Sequence, residues 1–226
     1  MIILTLAIGA NYRRSMVRCL ESKKTYANKH GYTYIEGNDT WRDYSRPLAW
    51  SKMGFFIHHL EKALKETPDE LFWLSDADVY ITNPDLRIED NILPYLPADK
   101  DMLFCVDAFN HINSGNIFVR PTQRVIDWFR RVDKRIDCTN HIWWENGAML
   151  LEWQDHPEDL AWVEIRDKDH ARFNAYLKGV KGNDLWKPGC WLVHFAGIYD
   201  GAEINRLIDV INERAGISLS PTDEAG

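Results

Sequence analysis

The sequence has no apolar run near the roughly 18–20 residues that a bilayer-spanning helix requires. Its apolar opening, Ile2-Ile3-Leu4-Thr5-Leu6-Ala7-Ile8, has neither a basic start nor a cleavage site and reads as a strand, not a signal peptide. Cysteine is sparse. Cys19, Cys105, Cys138 and Cys190 form no C-x-x-C pair and sit in apolar or helical stretches, so they read as reduced packing residues of a soluble, cytoplasmic protein, with disulfides left open by the even count. Positive charge is short as well: 27 Lys+Arg against 34 Asp+Glu leave a formal −7, which removes the global attraction that nucleic-acid binding relies on. There is no internal repeat and no low-complexity linker. At 45% hydrophobic and 27% charged, the chain is neither disordered, collagen-like nor fibrous. Its 226 residues suit one catalytic-size domain over 1–217, followed by a polar, frayed tail over 218–226. The one excess is tryptophan, ten in all, more than a core of this size needs, so some are expected on a binding surface.

The first third alternates strand-like and helix-like segments, as expected for a parallel sheet with crossover helices. Residues 2–8 form the first strand. Ser15 caps a helix running to about Lys29, and Gly31 stops it. Tyr32–Ile35 is a second strand, and Pro47 opens a helix with Leu48, Met53, Phe56, Ile57, Leu60 and Leu64 near helical spacing. Further strands are expected at Met102–Val106, Asn116–Val119, Trp162–Ile165 and Cys190–Val193, and helices at Gln123–Arg135, Glu145–Trp153 and Ile204–Arg214. The fold class is therefore α/β, a Rossmann-like, mostly parallel central sheet flanked by helices.

Leu71-Phe72-Trp73-Leu74 is a continuous apolar run, the mark of a central strand buried on both faces, and it stops at Ser75-Asp76-Ala77-Asp78. In open α/β sheets ligands bind beyond the carboxyl ends of the strands, where Asp76 and Asp78 fall. Two carboxylates at i and i+2 can converge on Mg²⁺ or Mn²⁺, whose remaining ligands often come from substrate phosphates. A turn cap before Asn83-Pro84 is the plainer explanation of D-x-D, but the buried strand ahead of it favours the metal. Haloacid-dehalogenase-type phosphatases also place D-x-D after a strand, with the first Asp as nucleophile. Here Tyr80 stands where that family has Thr or Val, about seventy residues precede the motif, and no later apolar strand ends in an acidic pair.

A series of motifs resembles glycosyltransferase family 34, retaining galactosyl-, mannosyl- and xylosyltransferases of GT-A fold. In order these are His30-Gly31-Tyr32, Trp50-Ser51-Lys52, Trp73-Leu74-Ser75-Asp76-Ala77-Asp78-Val79, Asn113-Ser114-Gly115-Asn116-Ile117-Phe118-Val119-Arg120, Glu145-Asn146-Gly147-Ala148 and Val193-His194-Phe195-Ala196-Gly197. The resemblance implies a nucleotide-diphosphate sugar donor, UDP-sugar favoured, an oligosaccharide or glycoconjugate acceptor, and Mn²⁺ or Mg²⁺ as cofactor. No nucleic acid and no membrane span are implied. Asp76 would contact the ribose or donor sugar and join Asp78 and His194 at the metal. Ser75, Ala77, Asn113 and Ser114 would lie along the donor, and the small residues around Gly197 would let the backbone approach a phosphate. GT-A geometry would bring Thr5, Ala7, Gly9 and Tyr12 to the base and ribose.

Lys52 reads either as a phosphate or sugar contact or as a solvated helix lysine. Trp143 and Trp144 read either as sugar platforms or as core. Glu145 and Asn146 stand where the family usually has Asp-Gln; Glu145 would stabilise charge on the sugar carbon or attack it, by front-face or double-displacement retention. Asp107 is a further candidate for contacting a sugar. The family's Cys-Lys segment after the histidine is replaced by Ile198-Tyr199-Asp200-Gly201, so Arg13, Arg14 or Lys52 is expected to share the diphosphate charge. The expected protein is a catalytic domain with no anchor or stem, of virus or bacterial type. The other classes to set against it are a D-x-D phosphatase and a non-catalytic carbohydrate-binding module.

Overall fold

Short apolar strands separated by helices have only one way to bury both faces, which is to pair edge to edge beneath the helices. The computed structural model describes residues 1–216; the tail expected at 218–226 lies outside the described residues. β1 (Ile2–Leu6) leads into α1 (Ala10–Ser15) and α2 (Val17–His30), then β2 (Thr33–Gly37), α3 (Ser51–Glu66), β3 (Phe72–Ser75) and β4 (Val79–Ile81). There follow α4 (Ile88–Asn91), β5 (Met102–Val106), β6 (Ile112–Val119), α5 (Gln123–Asp133), α6 (Trp144–Asp155), β7 (Val163–Arg166), α7 (His170–Phe173), β8 (Leu192–His194) and α8 (Gly201–Ala215).

The main sheet has six strands in the order β2-β1-β3-β6-β5-β7. β1 is parallel to β2 and β3, and β5 is parallel to β7, while β6 runs antiparallel to β3 and β5. The α/β class and the mostly parallel sheet agree with the sequence. The inserted antiparallel strand matters most for the site, because its register sets Ser75 opposite Asn116 and Asp76 donates its amide to the Gly115 carbonyl at 2.8 Å. The Asn113-Ser114-Gly115 segment, which precedes the strand expected at Asn116–Val119, is thus part of β6 itself.

A second sheet of two strands pairs β4 with β8 and puts Val79 opposite His194. This ladder brings the end of D-x-D against the histidine. β4 was not expected, since three residues are too few to show a period.

Helix limits have local causes. Gly31 takes a left-handed φ of 71° and ends α2, a conformation costly for any residue with a Cβ. Asp200 opens α8 by accepting the Ala202 amide at 2.8 Å, a side-chain cap that satisfies an otherwise unpaired helix donor. One core lies under α3, α5 and α6, built on Trp50, Phe56, Phe72, Trp128 and Trp153; the opposite face of the sheet packs Tyr26, Trp73, Phe118 and Trp191. All four cysteines are free, with Cys19, Cys105 and Cys138 buried. No helix among the described residues is long and apolar enough to cross a membrane.

Candidate active site

Beyond the carboxyl ends of β1 and β3 opens a cavity of about 670 Å³. It gathers Tyr12, Lys52, Ser75, Asp76, Ala77, Asp78, Asp107, Asn113, Ser114, Glu145, Asn146, His194 and Gly197 into one place, so most residues singled out in the sequence converge. Three do not. Thr5 and Ala7 are wholly buried and Gly9 lies off the lining; the cavity is instead lined by Leu6 and Ile8. Side chains alternate along β1, which turns Leu6 and not Thr5 toward the cavity. Thr5 spends its hydroxyl on the Ser75 carbonyl at 2.6 Å, and the Gly9 amide donates to Asp39 at 2.7 Å.

Asp76, Asp78 and His194 each offer an atom within 4.8 Å of the others. His194 Nε2 lies 3.3 Å from Asp78 Oδ1. Burial alone would raise the Asp78 carboxyl, but the His194 imidazole and the Lys23 ammonium hold it below its ordinary range. Two hard carboxylates with one imidazole form a donor set suited to Mn²⁺ or Mg²⁺.

The orientation of His194 is set by a relay of three asparagines. The Trp73 indole, which can only donate, gives its N–H to Asn116 Oδ1 at 2.9 Å. That turns Asn116 Nδ2 to donate to Asn174 Oδ1 at 2.8 Å. Asn174 Nδ2 then donates to Asn113 Oδ1 at 2.9 Å, and Asn113 Nδ2 to the Tyr176 hydroxyl at 2.9 Å. With its oxygen so fixed, Asn174 accepts from His194 Nδ1 at 2.9 Å, leaving Nε2 as the nitrogen that faces the carboxylates. A ligating imidazole needs this second hydrogen bond to settle its tautomer and ring plane. The residues present therefore fit a divalent cation.

Lys52 is committed to carboxylates: Nζ is 2.8 Å from Asp76 Oδ1 and 2.7 Å from Glu145 Oε1. Burial would depress its ammonium, yet Asp76 and then Glu145 more than offset this and hold it above its usual range. It is neither a solvated helix lysine nor a cation left over for phosphate. Arg13 pairs with Glu36 and Arg14 with Asn11, and neither lines the cavity, so the expectation that they share a diphosphate charge loses its geometric basis. A cation that sequence reasoning missed is Lys23, which is fully buried and donates from beneath D-x-D to the backbone carbonyl of Asp76 and, at 3.4 Å, to that of Ala77. Desolvation pushes its pKa down to about 8. On a helix of mixed polarity nothing in the sequence distinguishes it.

Glu145 is 4% exposed, and its Oε1 takes both Lys52 and the Ser114 hydroxyl, the latter at 3.1 Å. Its Oε2 and the Oδ1 of Asn146 are buried with no partner. The Asn146 amide nitrogen is tied to the Ile112 carbonyl at 2.8 Å, which fixes its oxygen as the free end. Asp107 Oδ1 accepts the Phe109 and His111 amides at 2.8 and 3.1 Å, so it shapes the β5–β6 turn as well as lining the cavity. Gly197 has φ 77° with nothing within 4 Å of an added Cβ; it is there for its backbone conformation. Of the ten tryptophans, Trp143 and Trp144 alone are exposed, and both line the cavity.

A sheet that ends in paired carboxylates, a second strand that delivers a histidine to them and a buried glutamate across the cavity describe a sugar-nucleotide enzyme, and comparison with known proteins agrees. The nucleotide-diphospho-sugar transferase family matches residues 69–207, and the galactosyl transferase GMA12/MNN10 family, glycosyltransferase family 34, matches residues 1–103. The chain belongs to the nucleotide-diphospho-sugar transferase family, and its first 103 residues resemble the GMA12/MNN10 family. It is 27% identical over 157 residues to the probable alpha-1,6-mannosyltransferase MNN10 of Saccharomyces cerevisiae, covering 65% of this chain and 36% of that protein; the chain thus spans about a third of that relative's length. Among solved structures it is similar to a glycosyltransferase involved in glycosylation of the major capsid of PBCV-1, with TM-score 0.63 and 15% identity over 93% of this chain and 100% of the other. The galactosyltransferase LgtC follows with TM-score 0.51 and 12% identity over 99% and 98%, and mouse xyloside xylosyltransferase 1 with 0.52 and 9% over 87% and 98%. At these identities the likeness speaks to the fold, which is GT-A-like as the sequence led us to expect.

Proposed function

We propose that residues 1–217 act as one catalytic unit that moves a sugar from a nucleoside-diphosphate sugar, a UDP-sugar first among candidates, to a glycan acceptor with retention of configuration. The observation that carries this reading is the placement of Asp76, Asp78 and His194 within 4.8 Å of one another on the same cavity as a buried glutamate with an unpartnered oxygen. Asp76, Asp78 and His194 would hold Mn²⁺ or Mg²⁺, and the ion would offset the negative charge that grows on the departing diphosphate. Lys52 binds Asp76 and Glu145 together and keeps both in place. Glu145 Oε2 and Asn146 Oδ1 can only accept, so the ligand beside them must present donors, and sugar hydroxyls do so where phosphates do not. In the net reaction the acceptor oxygen bonds to the anomeric carbon, the bond from that carbon to the diphosphate oxygen breaks, and the acceptor proton leaves with the nucleoside diphosphate.

The test is a thermal-shift panel of nucleotides and nucleotide sugars with and without Mn²⁺. A ligand at 100 times its Kd adds about 2.7 kcal/mol, a clear rise in Tm. Asp78→Ala should lose the metal-dependent part of that rise together with transfer. Absence of any metal-dependent nucleotide shift in the wild type overturns the reading, and NMR of the product anomer decides retention.

A further inference from the structure

The cavity has two chemically different kinds of lining. D-x-D, His194 and Lys52 supply the charged groups. The rest is apolar and mostly aromatic: of thirteen large hydrophobic side chains exposed among the described residues, six line this one cavity, namely Tyr12, Leu48, Ile142, Trp143, Trp144 and Tyr199. Tyr12 is the member expected at the base and ribose; a diphosphate has no use for the two tryptophans, 41% and 38% exposed, and leaving them part-exposed forgoes burial they would gain elsewhere.

The turn carrying them is built and held. The His141 amide donates to Cys138 and the Trp144 amide to His141, each at 2.9 Å, while the Trp143 amide donates to the His141 ring at 3.1 Å. The His141 ring fills the space where a Cβ on Gly147 would lie. Trp144 sits at φ 44°, a left-handed backbone that a bulky side chain rarely adopts; such strain collects at functional sites. The Trp143 ring packs against His111, centroids 4.8 Å apart. Directly after the two rings come the two buried, unpartnered acceptors, Glu145 Oε2 and Asn146 Oδ1.

Flat apolar faces beside groups that only accept hydrogen bonds call for a ligand with a C–H face and a rim of O–H donors, which is a pyranose ring. We infer that the 141–147 turn is the acceptor subsite, with Trp143, braced by His111, and Trp144 as stacking faces and Asn146 Oδ1 as a hydroxyl acceptor. The acceptor class is then the sugar end of an oligosaccharide, not an unglycosylated peptide. This rests on the transferase reading above and deepens it. Stacking on an aromatic side chain tolerates different sugars, so the asparagine oxygen and not the rings would choose among epimers.

The experiment measures initial rates against acceptor concentration with Mn²⁺ and the nucleotide sugar found in the thermal-shift panel. The probes are methyl glycosides of mannose, galactose, glucose and xylose, their disaccharides, and a serine- and threonine-containing peptide. A disaccharide should serve and the peptide should not. Trp143→Ala and Asn146→Ala should each raise acceptor KM at least tenfold while the Kd for the nucleotide stays within twofold, and Trp143→Phe should restore KM to within threefold of wild type. Trp144→Gly suits the left-handed backbone, so it should keep or raise Tm while raising acceptor KM, which separates a lost contact from a lost fold. An acceptor KM indifferent to Trp143→Ala and Asn146→Ala, or the peptide as preferred acceptor, overturns the inference. So does a wild-type protein that binds the nucleotide sugar yet transfers to no saccharide. A wild type that binds no nucleotide sinks the transferase reading instead.

Discussion

Replacing Asn174 with leucine tests whether the asparagine relay sets the His194 tautomer. Asn174 is wholly buried, and leucine fills nearly the same space without a polar atom. Two groups then lose a partner in the dry interior, Asn116 Nδ2 and His194 Nδ1, while Asn113 Oδ1 keeps the Gly115 amide at 2.9 Å. Each unpaired buried group costs about 1–3 kcal/mol, so urea unfolding should show a loss of about 2–6 kcal/mol. A ligating imidazole stripped of its outer hydrogen bond typically weakens metal binding by about 10- to 100-fold, which calorimetric titration with Mn²⁺ on the folded variant would read. Asn174→Asp keeps an acceptor for both donors and should bind Mn²⁺ within about threefold of wild type, even if it unfolds earlier. Leucine at 174 with wild-type Mn²⁺ affinity would refute the relay as the device that orients His194.

Further outcomes follow from other contacts. At Gly115 a Cβ would overlap the His194 ring and stand 2.9 Å from its Nδ1; because His194 is held by Asn174 and by β4, Gly115→Ala should move the ring by about 1 Å, cost about 1–3 kcal/mol and weaken Mn²⁺ binding, and unchanged affinity would count against His194 as a ligand. Lys23→Met removes the buried donor to the Asp76 and Ala77 carbonyls, so stability should fall by about 1–3 kcal/mol and Mn²⁺ affinity should fall about tenfold as the D-x-D backbone loses its anchor; equal affinity would make Lys23 a packing residue only. Burial first, then His58 and Lys62, push His59 down to about 4. Between that value and the unfolded 6.5 the unfolded chain holds the extra proton, so stability falls on acidification through this window. Discounted for partial exposure, the effect is about 1 kcal/mol; His59→Gln should flatten the dependence of urea midpoints on pH from 6.5 to 4, and an unaltered slope would assign it to other groups.

What was legible in the sequence was what is contiguous. Phe72–Leu74 running into Asp76 and Asp78 could be read as a buried strand ending in a site because burial on both faces demands an unbroken apolar run. The same property hid the parity of β1: Ile2 to Ile8 is nearly all apolar, so no polar alternation tells which residues face the ligand, and Thr5 and Ala7 were chosen where Leu6 and Ile8 lie. Lys52 was found by its motif but not its use, since a pairing with Asp76 and Glu145 depends on the end of β3 and on α6, which arrives from far along the chain. Asn113 and Asn116 share β6 but the relay's central asparagine, Asn174, follows α7, and an asparagine reads as a turn residue until its partners are known. Trp143 and Trp144, left between core and surface, are resolved by the strained turn that holds them out.

The β4–β8 ladder has a consequence for biosynthesis. Val79 and Ile81 are made early, and their partners His194 and Leu192 arrive only after roughly half the chain has followed. Closing such a ladder carries a large loop-entropy cost and comes late in folding. A nascent chain that has emerged only through α7 presents two neighbouring carboxylates and no third donor. With the proposed ligands divided between distant segments, ion capture would report completed assembly, and a chain that stalls before β8 would lack the histidine of that set.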